Sequence, residues 1–379
     1  MFFSFASEIA IMGLTCGIVG LPNVGKTTVF NALTGARAEA SNYPFCTVEP
    51  NRGMVLVPDE RLLLLGKMLR PGKLTPAAME FLDVAGLVEG ASRGEGLGNA
   101  FLGHLRSVDA VIHVVRMFED SDIVHLPGSC EPVRDIRLIQ TELVLADLEV
   151  VERRLEKVAR MARVGNREAV EELDHLRWIR EQLGQGIPLS RAGGNRRDPV
   201  VDHAARYKDR GLLTDRPVFY VLNLGEQQLP RQEQLARQIR ESLADEDAPF
   251  LPLCAKLERE ILDLEPEEQK KFRLEMETGP SGLDRLVGEA FRLLDLILFY
   301  TIVGPEVRAW ILKRGATVYQ AAGRIHSDLQ RGFIRAEVIR CDAFLQAGSE
   351  EKARETGLIH AEGRDYEVQD RDIVRIRFR

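Results

Sequence analysis

The chain has 379 residues, 45% of them hydrophobic and 29% charged, so it is longer than one typical domain and has an ordinary globular composition. The formal net charge of −7 argues against bulk nonspecific attraction to nucleic acid, while leaving room for a local basic patch. Five scattered cysteines (Cys16, Cys46, Cys130, Cys254 and Cys341) contain no CxxC pair, which argues against a disulfide framework or zinc site and predicts a cytoplasmic protein.

In chain order, Met1 to Ile11 is apolar but lacks a basic start and contains Glu8, so it does not read as a signal peptide. Met12 is an alternative start that would leave the first eleven residues as an extension. No apolar run is long enough to span a bilayer, and no membrane partner is expected. Leu14 to Gly20 predicts a buried strand, and Thr27 to Thr34 a helix that Gly35 stops. Met79 to Val84, Ala110 to Val115, Pro217 to Leu222 and Phe250 to Cys254 predict further short strands. Strands alternating with helical stretches imply an α/β fold with a parallel sheet, whose ligands bind at the carboxyl ends of the strands.

Between these strands, apolar residues recur at three- and four-residue steps from Ile136 to Met161 and again from Ala169 to Leu183. With the turn signal Val164-Gly165-Asn166, this predicts an inserted antiparallel helical hairpin. Leu262 to Pro280 is charged and reads as a surface helix or linker. After Ile297 a small α+β module is predicted. It has strands over Val307 to Leu312 and Gly332 to Ile339, a helix over Val318 to Ile325, and a hairpin of Tyr366-Glu367-Val368 with Ile373 to Phe378. The expected division is a nucleotide-binding domain over 12–130 and 211–296, a helical insert over 131–210 and a C-terminal module over 297–379.

The strongest chemical signal is Gly20-Leu21-Pro22-Asn23-Val24-Gly25-Lys26-Thr27, placed between a strand and a helix. Its glycines let backbone N–H groups turn toward phosphates, Lys26 supplies charge, and the Thr27 hydroxyl suits Mg²⁺. Asp83-Val84-Ala85-Gly86 follows the strand that begins at Met79. A carboxylate there can support Mg²⁺, and Gly86 permits backbone approach to a γ-phosphate. Thr47 is either a second hydroxyl for Mg²⁺ or a surface threonine in a turn. Leu87 stands where Ras-like enzymes carry a water-orienting Gln, so hydrolysis must use another group or be slow. Asn223-Leu224-Gly225-Glu226 occupies the place of the guanine-reading NKxD, with Leu224 for Lys and the longer Glu226 for Asp. Guanine selectivity is therefore not expected from it, and a plain surface loop is the alternative. His113, inside an apolar strand, reads as a core residue, and His104 as helix surface. Arg153, Arg154, Lys157, Arg160, Arg163 and Arg167 lie near the hairpin tip, where they either contact phosphates or join Glu149, Glu152 and Glu156 in a salt-bridged face.

Taken together, these residues resemble the YchF family of Obg-related P-loop proteins. The match rests on GLPNVGKT, on NYPFCTVEPN from Asn42 to Asn51, and on DVAGLVEGASRGEGLGNAFL from Asp83 to Leu102. NLGE, CAKLE from Cys254, RAWILKRG from Arg308 and AAGRIHSDLQRGFIRAEVI from Ala321 extend it to the C-terminus. The resemblance implies a P-loop NTPase of the Obg/TRAFAC-type G-domain class with an inserted helical hairpin and a C-terminal ubiquitin-like β-grasp TGS domain. It implies an ATPase that prefers ATP over GTP, with Asn23, Val24, Gly25, Lys26, Thr27 and Thr28 as the phosphate cradle. Thr27 and Thr47 would be the Mg²⁺ ligands, Gly86, Asn223, Leu224 and Glu226 would face the nucleotide, and His125 would replace the missing Gln beside Lys26. A neutral imidazole can orient or deprotonate water; a structural loop histidine is the alternative. The ribosome or ribosomal RNA is the implied partner. A GTPase of the Obg class, and a nucleotide-gated binding module with incidental hydrolysis, remain the competing readings.

Overall fold

The computed structural model describes residues 14–35, 51–84, 97–120, 129–192, 211–243, 248–276 and 279–379. Contacts divide the chain into two units, one of Met1–Leu14, Met54–Glu80 and Phe291–Arg379, the other of Thr15–Gly53 and Phe81–Ala290.

One sheet is built from β1 (Thr15–Val19), β2 (Arg52–Leu56), β4 (Ala78–Asp83), β5 (Ala110–Arg116), β6 (Val218–Asn223) and β7 (Phe250–Leu253), in the order β2-β4-β1-β5-β6-β7. The pairs β1–β5, β5–β6 and β6–β7 are parallel. Strands β1 and β5 are buried along their whole length, as expected where helices cover both faces of a parallel sheet. The carboxyl ends of β1 and β6 lead into the sequence-predicted site residues Gly20 to Thr27 and Asn223 to Glu226. Helix α1 (Lys26–Gly35) starts directly after the loop that follows β1. Helices α2 (Glu60–Leu69) and α3 (Leu97–Leu105) precede β5.

The insert is an antiparallel pair, α4 (Pro132–Arg163) and α5 (Arg167–Gly184). Its seam is regular. Val144, Val151 and Val158 on α4, and Ala169, Leu176 and Leu183 on α5, are all buried and follow one another at seven-residue steps. That spacing keeps one stripe facing the partner helix, the geometry of a two-stranded coiled coil. Gly165 takes φ 84° in the turn, and the Asn166 side chain accepts from the Ala169 N–H to cap α5. The base of the hairpin is fixed by Asp147, fully buried, which accepts from the Leu213 and Thr214 N–H groups and the Thr214 hydroxyl. Further helices of the same unit are α6 (Leu189–Ala192), α7 (Gln232–Leu243), α8 (Ala255–Leu262), α9 (Pro266–Glu275) and α10 (Gly282–Leu293), whose last residues pass into the other unit. The charged stretch around Glu267 is thus a helix, entered through Pro266 at its first position.

The second sheet has the order β11-β10-β12-β8-β9-β3, with β3 (Lys73–Thr75), β8 (Leu296–Val303), β9 (Glu306–Lys313), β10 (Phe333–Arg340), β11 (His360–Glu362) and β12 (Asp372–Phe378). Strands β8 and β9 form a hairpin, and β12 lies parallel to β8 and antiparallel to β10. Strand order 9-8-12-10-11 with a parallel central pair is the β-grasp arrangement. Helix α11 (Val318–Ile325), opened by a Thr317–Gln320 capping box, covers one face, where Ile297, Phe299, Val318, Ala322, Ala336 and Val374 form the core. Short helices α12 (Ser327–Arg331), α13 (Cys341–Ala347) and α14 (Glu350–Glu355) complete the module.

The expected hairpin of Tyr366-Glu367-Val368 with β12 does not form. The 366–368 backbone bonds instead to the start of α11, with Val318 N–H donating to Tyr366 O and Val368 N–H to Ala316 O. The cause is Asp372, a fully buried carboxylate that accepts from the Tyr366 hydroxyl and the Gln369 N–H and so folds that segment into a turn. Strand β8, absent from the sequence expectation, takes the central place beside β12.

Candidate functional site

The phosphate-binding loop is shaped by two close approaches. A Cβ on Gly20 would stand 2.5 Å from Val114 O, and one on Gly25, which has φ 92°, would overlap Nδ2 of Asn223. Asn23 is also left-handed at φ 62°, a conformation that Asn tolerates better than most residues.

The loop's carbonyls are held by side-chain donors. Lys26 Nζ donates to Leu21 O at 2.7 Å, Arg116 Nη1 to Asn23 O at 3.5 Å, and Asn223 Nδ2 to Val24 O at 2.9 Å. Arg116 and Asn223 are register partners at the carboxyl ends of β5 and β6, so two neighbouring strands grip successive loop residues. Carbonyls fixed in this way leave the N–H groups at the start of α1, which lack intrahelical acceptors, for an anion. Asn23, Thr27 and Thr28 are exposed there, and Val24 is buried beneath.

Lys26 is 8% exposed. Burial pushes its ammonium down to about 8, a shift that Asp83 partly opposes. Burial likewise raises the Asp83 carboxyl above its ordinary value, while the hydrogen bond from Thr27 and the charge of Lys26 pull it back. The Thr27 hydroxyl donates to Asp83 Oδ2 at 3.0 Å. A hydroxyl and a carboxylate in contact beside a phosphate cradle are hard oxygen donors, the kind that suit Mg²⁺, which retains waters and shares its ligands with substrate phosphates.

The base-side loop is organised by the same asparagine. Asn223 Oδ1 accepts from the Ala255 N–H at the start of α8, so one buried amide ties β6, the phosphate loop and α8 together. The Leu224 N–H is committed to Leu253 O. Glu226 opens a short 3₁₀ turn and its carboxylate pairs with Lys256 Nζ at 3.2 Å, both side chains well exposed. Gln228 bridges the two loops, accepting from the Gly225 N–H and donating to Met117 O.

The structure therefore brings together Asn23 to Thr28, Asp83, Asn223 and Leu224, and places Glu226 at the rim against Lys256. Thr47, Gly86, Leu87 and His125 lie outside the described residues. His113 is a core histidine, buried against Tyr220 and held neutral with its pKa lowered to about 3 by burial and then by Lys26. His104 is exposed on α3.

Arg116, Gln228 and Glu258 were not singled out by the sequence. Arg116 also donates to Phe118 O and Asp120 O, and it had left a signal: a charged residue closing an apolar strand at the sheet edge where α/β ligands bind. Glu258 accepts from both Arg273 Nη atoms and from the Gly282 N–H, fixing α8 from behind.

Comparison with known proteins agrees with this geometry. The YchF-GTPase C-terminal family, described as a protein of unknown function, matches residues 296–379, and the family described as 50S ribosome-binding GTPase matches 15–151. The chain is 44% identical over 369 residues to the Ribosome-binding ATPase YchF of Bacillus subtilis (strain 168), covering 97% of this chain and 100% of the relative. It is 45% identical over 369 residues to the protein of that name from Haemophilus ducreyi, covering 97% of this chain and 99% of the relative. The solved structure of the Schizosaccharomyces pombe YchF GTPase matches with a TM-score of 0.85 at 31% identity, over 96% of this chain and 98% of that one. The chain belongs to the YchF family of P-loop nucleotide-binding proteins.

Proposed function

We propose that this chain is a cytoplasmic, Mg²⁺-dependent ATPase switch that binds the ribosome according to its nucleotide state. Relatives at 44–45% identity along almost the whole chain carry the name Ribosome-binding ATPase, and that similarity supports the partner and the reaction.

Base preference has its own argument. With the Leu224 N–H committed to Leu253 O, a backbone contact from Leu224 to a base runs through its carbonyl. A carbonyl accepts from the 6-amino group of adenine and faces another acceptor, O6, on guanine. Glu226, drawn to Lys256, is not a preorganised acceptor for guanine N1–H and its 2-amino group. The Leu224 backbone is the observation that carries the ATP reading.

In this proposal Asn23 to Thr28 cradle the phosphates and Lys26 neutralises charge that develops on them. Thr27, supported by Asp83, and Thr47 would hold Mg²⁺, which would supply further charge neutralisation. Gly86 would face the nucleotide, and His125 would orient the attacking water in the role that Leu87 cannot fill. The functional division follows as 12–130 with 211–296 for nucleotide, 131–210 for the helical insert and 297–379 for the C-terminal module. A nucleotide panel with purified protein and Mg²⁺ tests the reading. ATP is expected to bind more tightly than GTP, and tenfold tighter GTP binding, about 1.4 kcal/mol the other way, would sink it. His125→Ala should lower turnover without weakening ATP binding; wild-type turnover would remove His125 from the chemistry.

A further inference from the structure

We propose that the tip of the α4–α5 hairpin is an RNA-docking surface that engages backbone phosphates. The inference takes its choice of RNA from the ribosome reading above and its chemistry from the tip itself.

The eleven residues from Lys157 to Arg167 contain four cations, Lys157, Arg160, Arg163 and Arg167, and no carboxylate, in a chain whose net charge is −7. Several cations along the hairpin stem sit in ion pairs. Arg153 pairs with Glu149, Arg154 with Glu172 and Arg177 with Asp174, as a solvated helix face would. Among the described residues, Lys157, Arg160 and Arg163 have no carboxylate within ion-pair distance, and Arg160 donates only to its own helix, at Glu156 O. All three are exposed on the last two turns of α4. Among the described residues Arg137 and Arg180, away from the tip, also have no carboxylate within ion-pair distance, so what sets the tip apart is how closely such cations are crowded there.

Helix stability does not account for the set. Arg160 and Arg163 suit the negative end of the α4 dipole, but Arg167 is the first residue of α5, where a cation opposes the dipole. Its side chain is 93% exposed and only loosely paired with Glu171 at 3.8 Å. Val164, at the apex between the helices, is 84% exposed, and Met161 beside it is also exposed. An apolar apex ringed by cations matches a nucleic-acid surface, with phosphates outside and sugar edges between them. The RNA minor groove is wide and shallow enough to admit such a blunt end. The heptad seam, reaching Val158 and Ala169, presents the tip on a rod rather than on a loop.

The test compares full-length wild type with K157Q/R160Q/R163Q, which alters only exposed positions. Two probes are used: a fluorescein-labelled RNA duplex of about 20 base pairs, titrated at about 50 to 200 mM KCl, and salt-washed ribosomes pelleted with a non-hydrolysable ATP analogue. Each phosphate contact contributes close to one to the slope of log affinity against log salt, so the triple variant should lose about two to three from that slope. It should also bind RNA at least tenfold more weakly at low salt. Unchanged RNA affinity and slope overturn the proposal. Loss of ribosome binding with RNA binding intact also overturns it, by assigning the tip to a protein partner. If the variant keeps its RNA affinity and still pellets with ribosomes, the tip assignment fails and the ribosome reading survives. If wild type ignores ribosomes yet binds the duplex through these residues, the ribosome reading fails and the tip assignment stands.

Discussion

Lys26 and the cations of the hairpin tip, both on the nucleotide-binding unit, are built in opposite ways. Lys26 is buried, bonded to Leu21 O and depressed in pKa before any ligand arrives. The cations of the hairpin tip are exposed and keep their hydration. A buried cation has already lost much of its water and is little screened by salt, so its interaction with an incoming phosphate is strong. Exposed cations act through a field that water and salt weaken, so their attraction depends steeply on salt. The first construction suits one small ligand held in a fixed geometry. The second suits a large polyanion approached from many directions.

The largest effect should come from breaking the buried half. Lys26→Ala removes the charge that meets the β- and γ-phosphates, and turnover should fall about 10²–10³-fold, the scale of losing one preorganised transition-state donor. Steady-state phosphate release at saturating ATP measures it. RNA binding by the hairpin should be unaffected, and parallel loss of both would show that the two charged regions are not independent.

Breaking the rod beneath the tip gives the reciprocal case. Leu176 is 1% exposed in the hairpin seam. Leu176→Ala should cost about 2–5 kcal/mol of stability, the range for a buried leucine truncation. Chemical denaturation followed by far-UV circular dichroism reads this, and ATP affinity measured well below the transition should match wild type.

Asn223→Ala tests how the nucleotide loops are joined. It strips partners from Val24 O and the Ala255 N–H, both in buried hydrogen bonds. Leaving such groups unsatisfied costs about 1–3 kcal/mol. Thermal melting should show that loss, together with a higher Kd for ATP. A melting loss with unchanged ATP affinity would mean that the phosphate loop keeps its shape without the bridge.

The sequence revealed the two regions unequally, for a physical reason. The phosphate loop is a local object: its glycines, Lys26 and Thr27 lie within eight residues, and the strand before it and the helix after it confirm the context. Asp83 was readable because it ends an apolar strand. The hairpin was readable from its period, as Val144, Val151 and Val158 show. What pins these pieces is not local. Arg116 reaches Asn23 across 93 residues, Gln228 reaches Met117 across 111, and Asn223 reaches Val24 across 199. No spacing rule encodes such pairs, because only the parallel order of β1, β5 and β6 brings them together. Tyr366 to Val368 was misread for the same kind of reason, since the turn there is set by the burial of Asp372 rather than by alternation along the strand.

The most specific consequence of burying Lys26 is its pH dependence. Its ammonium titrates near 8 in the nucleotide-free protein, down from 10.5, with burial the main cause. A bound triphosphate favours the charged form and raises that value again. Between the two values, nucleotide binding takes up a proton, so ATP affinity should be flat below about pH 8 and weaken as pH rises above it. The limiting slope is tenfold per pH unit, or about 1.4 kcal/mol. Folding shows the opposite sign. The unfolded chain binds this proton more tightly, so the group adds stability to the nucleotide-free protein as pH rises from about 8 toward 10.5. Titration of a fluorescent ATP analogue between pH 7 and 9.5, beside Lys26→Ala, separates this term from others. The variant should bind weakly with a flat profile over that window, whereas wild type should bend downward in affinity near pH 8. A flat wild-type profile would mean that Lys26 keeps its proton despite burial, and the contrast between a desolvated cation at the phosphate loop and hydrated ones at the hairpin tip would then be one of geometry alone.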